Sequence, residues 1–299
     1  MSDLRHWAQD ERVRKLRIKK TTAAQATPPA TSLVIGVGQG SCTVTLSGRV
    51  SRLRCDMQVA PGDLVAVLHE KVVAIAPRRT TLARTDPANK HRERVIAANI
   101  DFLVIVASID DPPFRPGLVD RYLVAAARGG IEPVLCINKA DLSTPEQIAE
   151  AANRFAIPWV RCSTKTGEGV EQLRQLLAGK LAVLAGHSGV GKSSVLNALA
   201  GVAIARIGGV SQGTKRGQHT TTTSSLVDLG DNGRVIDTPG IRSFDPGQLT
   251  LGELRVAFPD FNTGACRFAD CTHRAEPDCA HRDESSPRYA SWLRLAAGL

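Results

Sequence analysis

The chain has 299 residues, enough for two or three domains, and 42% of them are apolar, enough for packed cores. No apolar run approaches the ~20 residues of a membrane span, and the charged N-terminus lacks the apolar stretch of a secretory signal. A cytoplasmic protein that does not enter the membrane is therefore expected. The net charge of +9 points to a polyanionic partner, and the excess sits in the first third of the chain: residues 1–20 carry seven Lys/Arg against three acids, residues 49–94 ten against five, whereas the part after Leu251 has six against seven.

Residues 1–30 read as a flexible basic tail, because 21–32 is rich in Thr, Ala and Pro and has neither a helical nor a strand period. A small barrel is predicted over 31–80. Short apolar or alternating runs at 33–37, 42–46, 50–55, 64–68 and 72–76 are separated by the turn signals Gly38-Gln39-Gly40, Ser47-Gly48-Arg49 and Pro61-Gly62-Asp63. Five such strands suit an OB-fold. Arg49, Arg52 and Arg54 on or beside the third strand would give it a basic RNA-binding face; the alternative is a barrel that only packs on its neighbour. From about residue 95 the pattern becomes an alternation of strands (102–107, 133–138, 158–163, 181–185) and helices (116–128, 145–155, 170–177, 192–200), an α/β domain over 88–247 with a parallel sheet covered on both faces. Residues 248–299 read as a loop-rich module ending in a short helix over 289–297.

The order of the motifs in the α/β domain is unusual. Strand 181–185 leads into Gly186-His187-Ser188-Gly189-Val190-Gly191-Lys192-Ser193 and then a helix, the context of a phosphate-binding loop. Its amides would cradle phosphates, Lys192 would reach the β- and γ-phosphates, Ser193 would bind Mg²⁺, and Ser194 follows in the same helical turn. Asn138-Lys139-Ala140-Asp141 ends strand 133–138. An Asp carboxylate there can accept from guanine N1–H and the 2-amino group, a pair of donors that adenine lacks. Asn138 would hold neighbouring loops and the Lys139 stem would cover the base. Ser163-Thr164-Lys165, one strand later, lies where a loop contacting guanine O6 belongs. Asp237-Thr238-Pro239-Gly240 ends strand 234–236, with Asp237 expected to hold Mg²⁺ through water and the Gly240 amide to sense the γ-phosphate. The stretch 213–223 between them reads as a switch. Thr221 is the expected Mg²⁺ ligand, although the run Thr220–Thr223 leaves the register open. Ile241 stands where many GTPases carry a water-orienting Gln, so His219 is the candidate for positioning water, the alternative being a solvent-exposed switch histidine. The guanine motif precedes the phosphate loop in the chain, opposite to an ordinary small GTPase, which predicts a circularly permuted domain.

Of seven cysteines, Cys42, Cys55, Cys136 and Cys162 fall among strand residues and read as small buried hydrophobes. Cys266, Cys271, His273 and Cys279 have the spacing C-x₄-C-x-H-x₅-C, which suits a closed, structural Zn²⁺ site, with His281 as the competing imidazole.

With these residues in place, the chain resembles the ribosome small-subunit-dependent GTPase A (RsgA) family. The resemblance rests on GHSGVGKS at 186–193, NKAD at 138–141, HTTT at 219–222, DTPG at 237–240 and the Cys-Cys-His-Cys spacing. It implies a multidomain protein with an N-terminal OB-fold barrel, a circularly permuted P-loop GTPase domain and a C-terminal zinc-binding module. It also implies binding to the 30S subunit and 16S rRNA late in subunit maturation, with GTP hydrolysed to GDP and phosphate under stimulation by the subunit. It supports a catalytic His219 and zinc ligation by Cys266, Cys271, His273 and Cys279. Two other readings stand beside it: a GTPase acting on another structured RNA, and a GTP-sensing RNA-binding module without significant turnover. A monomer is the default expectation.

Overall fold

The computed structural model describes residues 28–86, 89–201, 225–237, 249–261, 263–282 and 285–297. The first five strands, β1 (Ser32–Gly38), β2 (Ser41–Leu46), β3 (Arg49–Arg54), β4 (Leu64–Leu68) and β5 (Lys71–Ile75), pair in the order β1-β2-β3-β5-β4, and β1 also pairs with β4, so the barrel closes. This is the five-stranded OB-type barrel that the alternating runs predict. Its interior holds Val34, Cys42, Val44, Leu53, Cys55, Val65 and Val72. Arg49, Arg52 and Arg54 all lie exposed on β3; Arg52 and Arg54 flank the inward-pointing Leu53, as the period-2 pattern requires, and Arg49 is exposed at the strand's start. Arg52 donates to Ser41 Oγ from both Nε and Nη2, and Arg54 lies 3.6 Å from Asp56.

A hairpin of β6 (Thr81–Asp86) and β7 (Asn89–Ala98) follows the barrel. The sequence reading had no strand here, because the charged run 90–94 carries no alternation. Beyond it, β8 (Phe102–Ala107), β9 (Glu132–Ile137), β10 (Trp159–Arg161), β11 (Leu181–Ala185), β12 (Ser225–Asp228) and β13 (Arg234–Asp237) form a sheet in the order β10-β9-β8-β11-β13-β12. All pairs are parallel except β12–β13, so the expected parallel sheet carries one antiparallel edge strand. That edge strand pairs with the barrel through Gly36↔Ser225, joining barrel and sheet.

The strands of the sheet are apolar on both faces because each face has its own helical layer. Leu103, Ile105 and Ala107 of β8 face α1 (Pro116–Gly129) and α2 (Pro145–Ala152), whereas Phe102, Val104 and Val106 face α3 (Val170–Leu177) and α4 (Lys192–Ala200). Local signals set the helix ends. Pro116 opens α1 and Gly130 closes it at φ 66°; Thr144 and Gln147 make a capping box on α2.

The C-terminal module packs on the outer side of α1. It contains α5 (Leu251–Ala257) and α6 (Pro287–Ala296), and its aromatic core of Phe258, Phe261, Tyr289 and Trp292 merges with the core under α1. The sequence places a helical zinc-binding module over 248–299 and locates only its last helix; α5 is a second one. The signal was present, since Thr250 and Glu253 form a capping box. Arg288 of α6 fastens the two parts. It donates to Arg154 O and Ala257 O, pairs with Asp260 at 3.2 Å, and lies over the Phe258 ring at 4.7 Å. Among the described residues no helix is long and apolar enough to cross a membrane.

Candidate nucleotide site and metal centre

The C-terminal ends of β8, β9, β10, β11 and β13 lie at one edge of the parallel sheet, where doubly wound folds take ligands. The phosphate loop leaves β11 there. Gly186, Gly189 and Gly191 have φ of 140°, 90° and 90°. A Cβ on Gly186 would lie 2.1 Å from Val106 O, and one on Gly191 would lie 2.3 Å from Asn138 Nδ2, so both positions exclude any side chain. Lys192 Nζ donates to Gly186 O at 2.9 Å and His187 O at 2.7 Å, which folds the ammonium back over the loop. Ser193 and Ser194 are exposed in the first turn of α4, whose free amides and dipole favour an anion. Val190 is buried, while Ser188 and Gly189 are open to solvent.

Asn138 is 1% exposed and joins two loops: its Nδ2 donates to Val190 O at 2.9 Å and its Oδ1 accepts from Thr164 N at 3.3 Å. The phosphate loop and the 163–165 loop are thereby held by one side chain. Lys139 sits in the left-handed region (φ 59°) with its Nζ 3.1 Å from Asp111 Oδ2. The backbone of Asp141 is open to solvent, but its side chain is only 15% exposed. Oδ1 accepts from Ser163 Oγ at 2.6 Å and Oδ2 lies 3.4 Å from Lys165 Nζ. The Ser163 hydroxyl, with Lys165 behind it, holds this carboxyl below the usual carboxylate range, so it is ionised. Ser163 is fully buried and also accepts from Thr166 N, which fixes the turn. Asn138, Lys139, Asp141, Ser163, Thr164, Lys165 and the phosphate loop thus form one constellation.

Asp237 ends β13, whose register with β11 (Val183↔Ile236) puts it at the phosphate-loop end of the sheet. Ser193 and Asp237, a hydroxyl and a carboxylate, are the oxygen donors that Mg²⁺ takes. His219, Thr221, Gly240 and Ile241 lie outside the described residues.

Two further elements of the site escaped the sequence reading. Tyr122 of α1 is fully buried, its hydroxyl hydrogen-bonds the Gly186 backbone, and burial pushes its phenol up to about 12. The loop after β8 wedges between the phosphate and guanine loops: Asp110 accepts from Ser143 Oγ, Asp111 from Lys139, and Pro112 lies under Gly189. The available signal was its position after a buried parallel strand.

In the C-terminal module, the side-chain donor atoms of Cys266, Cys271, His273 and Cys279 all lie within 4.8 Å of one another, a group that can hold a metal ion. His273 Nδ1 is 3.5 Å from Cys266 Sγ and 3.4 Å from Cys279 Sγ. Its Nε2 lies 2.9 Å from Phe261 O; a carbonyl only accepts, so Nε2 carries the proton and Nδ1 keeps its lone pair for the cluster. Burial holds this imidazole below its ordinary pKa, hence neutral. His281 packs edge-on against the His273 ring and is not among the four clustered donors. The ligand loop is braced from within: Glu276 accepts from Thr272 N and Oγ1, Arg274 N and Ala275 N. Tyr289 Oη and Trp292 Nε1 of α6 donate to His273 O and Thr272 O. The other four cysteines are buried, as small hydrophobes would be, and burial pushes the Cys42 thiol up to about 12.

The profile of the RsgA GTPase family matches residues 75–246. A Pseudomonas fluorescens Pf-5 protein named small ribosomal subunit biogenesis GTPase RsgA is 42% identical over 219 residues, which cover 70% of this chain and 62% of that protein's length. A Chlorobaculum tepidum protein of the same name is 37% identical over 279 residues, covering 85% of this chain and 90% of the relative. Among solved structures, YjeQ from Thermotoga maritima superposes with a TM-score of 0.68 at 26% identity, covering 89% of this chain and 96% of that one. YloQ, described as a circularly permuted GTPase, shares the fold with a TM-score of 0.63 at 24% identity, covering 91% and 96%. The profile match over 172 of 299 residues (75 to 246) and the relatives' identity together place this chain in the RsgA GTPase family.

Proposed function

We propose that the protein is a GTP hydrolase that binds the 30S ribosomal subunit through 16S rRNA and acts in late subunit maturation, converting GTP to GDP and phosphate under stimulation by the subunit. The observation that carries the guanine specificity is the Asp141 carboxylate, held by Ser163 beside a phosphate loop that Asn138 ties to the same network. The family's named role supplies the ribosomal partner, and the arginines exposed on β3 suit the phosphate contacts that dominate binding to structured RNA. No aromatic residue occurs between 33 and 76, so charge rather than base stacking would carry that contact.

In this reading the 186–191 amides and Lys192 hold the phosphates, and Ser193, Thr221 and Asp237 would hold Mg²⁺, which would neutralise phosphate charge. Gly240 reads the γ-phosphate. Ile241 cannot orient water, so His219 takes that role and unaided turnover is slow. The Cys/His cluster takes Zn²⁺ as a structural ion: Zn–S and Zn–N bonds of about 2.3 and 2.0–2.1 Å in a tetrahedron give N···S edges of roughly 3.6 Å, which the separations at His273 approach. The protein acts as a cytoplasmic monomer.

The test is GTP turnover with and without purified 30S subunits, with ATP and tRNA as controls. Stimulation by 30S alone, on GTP alone, is expected; equal stimulation by tRNA would assign the enzyme to another RNA, and absent turnover under all conditions would make it a GTP sensor. His219→Ala should lower kcat at least tenfold while keeping nucleotide Kd; unchanged turnover, free and stimulated, rejects the histidine.

A further inference from the structure

We propose that a groove between α1 and α6, opening beside the phosphate loop, is a second RNA site that takes one or two nucleotides of single-stranded rRNA, apart from the arginine face of the barrel. The proposal rests on the ribosomal reading above for the source of the RNA. The groove encloses about 710 Å³ and has Arg115, Arg121, Arg294 and His187 on its walls, with Phe114 and Leu118 on its apolar floor. That volume is within the ~300–1,000 Å³ of a small-molecule pocket.

Three observations point to a polyanion. None of the described lining residues is acidic. Arg115 and Arg121 are exposed and make no ion pair among the described residues, so two like charges face the groove uncompensated. Asp120, next to Arg121, is fully buried and does not line it. The third guanidinium is held in place: Arg294 Nη2 donates to Ser291 Oγ at 2.9 Å and lies so close to α1 that a Cβ on Gly117 would be 3.1 Å from it. Glycine in the first turn of α1 is a poor helix former, and here it makes room for that side chain. Guanidinium walls over an apolar floor with one aromatic ring are the means by which single strands are held, phosphates on the cations and a base on the ring. A nucleotide seated there also meets His187, so rRNA and the phosphate loop would share a residue.

The test uses the full chain with Arg115→Gln, Arg121→Gln and Arg294→Gln combined, and a matched triple Lys variant. Binding to 30S subunits and to protein-free 16S rRNA is measured across a KCl series, with GDP affinity and unstimulated GTP turnover as controls for the fold. Each lost phosphate contact lowers the log–log salt slope by about 0.7–0.9, so the Gln variant should lose about two from the slope and at least tenfold in affinity on both ligands, while the Lys variant keeps most of the slope. GDP binding and basal turnover should stay unchanged. An unchanged slope overturns the proposal, as does a defect on 30S with normal binding to protein-free rRNA, which would assign the groove to a ribosomal protein. If the wild-type chain binds neither ligand, the ribosomal reading itself fails; the same comparison on poly(U) then decides the groove, a slope difference supporting it and equal slopes overturning it.

Discussion

Asp120 lies at the seam between α1 and the C-terminal module, and Asp120→Asn should stabilise the protein at neutral pH. Its carboxylate is fully buried, and neither oxygen has a hydrogen-bond partner among the described residues. Ser291 lies beside it without closing a bond, and Arg288 Nε is 4.0 Å away. Burial, only partly offset by Ser291, Arg288 and Arg294, pushes the carboxyl up from 3.8 to about 6. A raised acid pKa means that the folded state keeps its proton where the unfolded chain has released it. This carboxyl's contribution to stability is therefore greatest below pH 4, falls as pH rises from about 4 to about 6, and stays lowered above. At 1.36 kcal/mol per unit the two-unit shift costs about 3 kcal/mol at pH 8. Asparagine keeps the shape and removes the charge, and Arg288 retains Asp260 at 3.2 Å as its counter-ion. The variant should gain about 1–3 kcal/mol at pH 8, which is roughly 2–10 °C in Tm for a chain this size, and match the wild type below pH 4. Thermal melts of both proteins across that range measure the gap. A variant less stable than the wild type by the same margin at both pH values would refute the reasoning, because the ion pair with Arg288 would then outweigh the burial.

Three further outcomes follow from the site. Asp141→Asn should weaken GDP by at least a hundredfold, since the charged acceptor for two guanine donors is lost, and should favour xanthosine diphosphate, whose 2-carbonyl can accept from the new amide; fluorescent-nucleotide titration would detect either failure. Gly191→Ala forces a Cβ to 2.3 Å from Asn138 Nδ2 at φ 90°, so the Asn138–Val190 bond should break and GDP affinity should fall at least tenfold; wild-type affinity would mean that the loop has room to move. Metal removal by a chelator should expose Trp292, which bonds the ligand loop through Thr272 O, and shift its fluorescence to the red while GDP binding persists, because the nucleotide loops hang on the sheet; an unchanged spectrum and melting curve would contradict a structural metal.

Local grammar explains what the sequence disclosed. The phosphate loop was legible because its glycines, Lys192 and Ser193 must follow a strand and open a helix in fixed register, and Asn138 and Asp141 because they stand at a strand end. The cysteine spacing likewise marked the four clustered donors Cys266, Cys271, His273 and Cys279, which can hold a metal ion. What stayed hidden depends on distant partners. Arg288 reaches Arg154 O across 134 positions, and nothing local to either marks the contact. The docking of β1 on β12 uses backbone at Gly36 and Ser225, which leaves no side-chain signature. Tyr122 reads as an ordinary core residue of α1, and only the fold brings it to Gly186. The helix α5 carries a start signal in the Thr250–Glu253 capping box, but at seven residues it is too short to show an apolar period.

The central proposal is that the chain attaches to the small subunit with GTP and leaves once the subunit-stimulated hydrolysis has converted it to GDP. Co-sedimentation of the protein with purified 30S and 50S subunits, in a non-hydrolysable GTP analogue and in GDP, tests it most directly. The account predicts a stoichiometric complex with 30S in the analogue, its loss in GDP, and no complex with 50S. Equal sedimentation with both subunits, or binding to 30S that ignores the nucleotide, would contradict it.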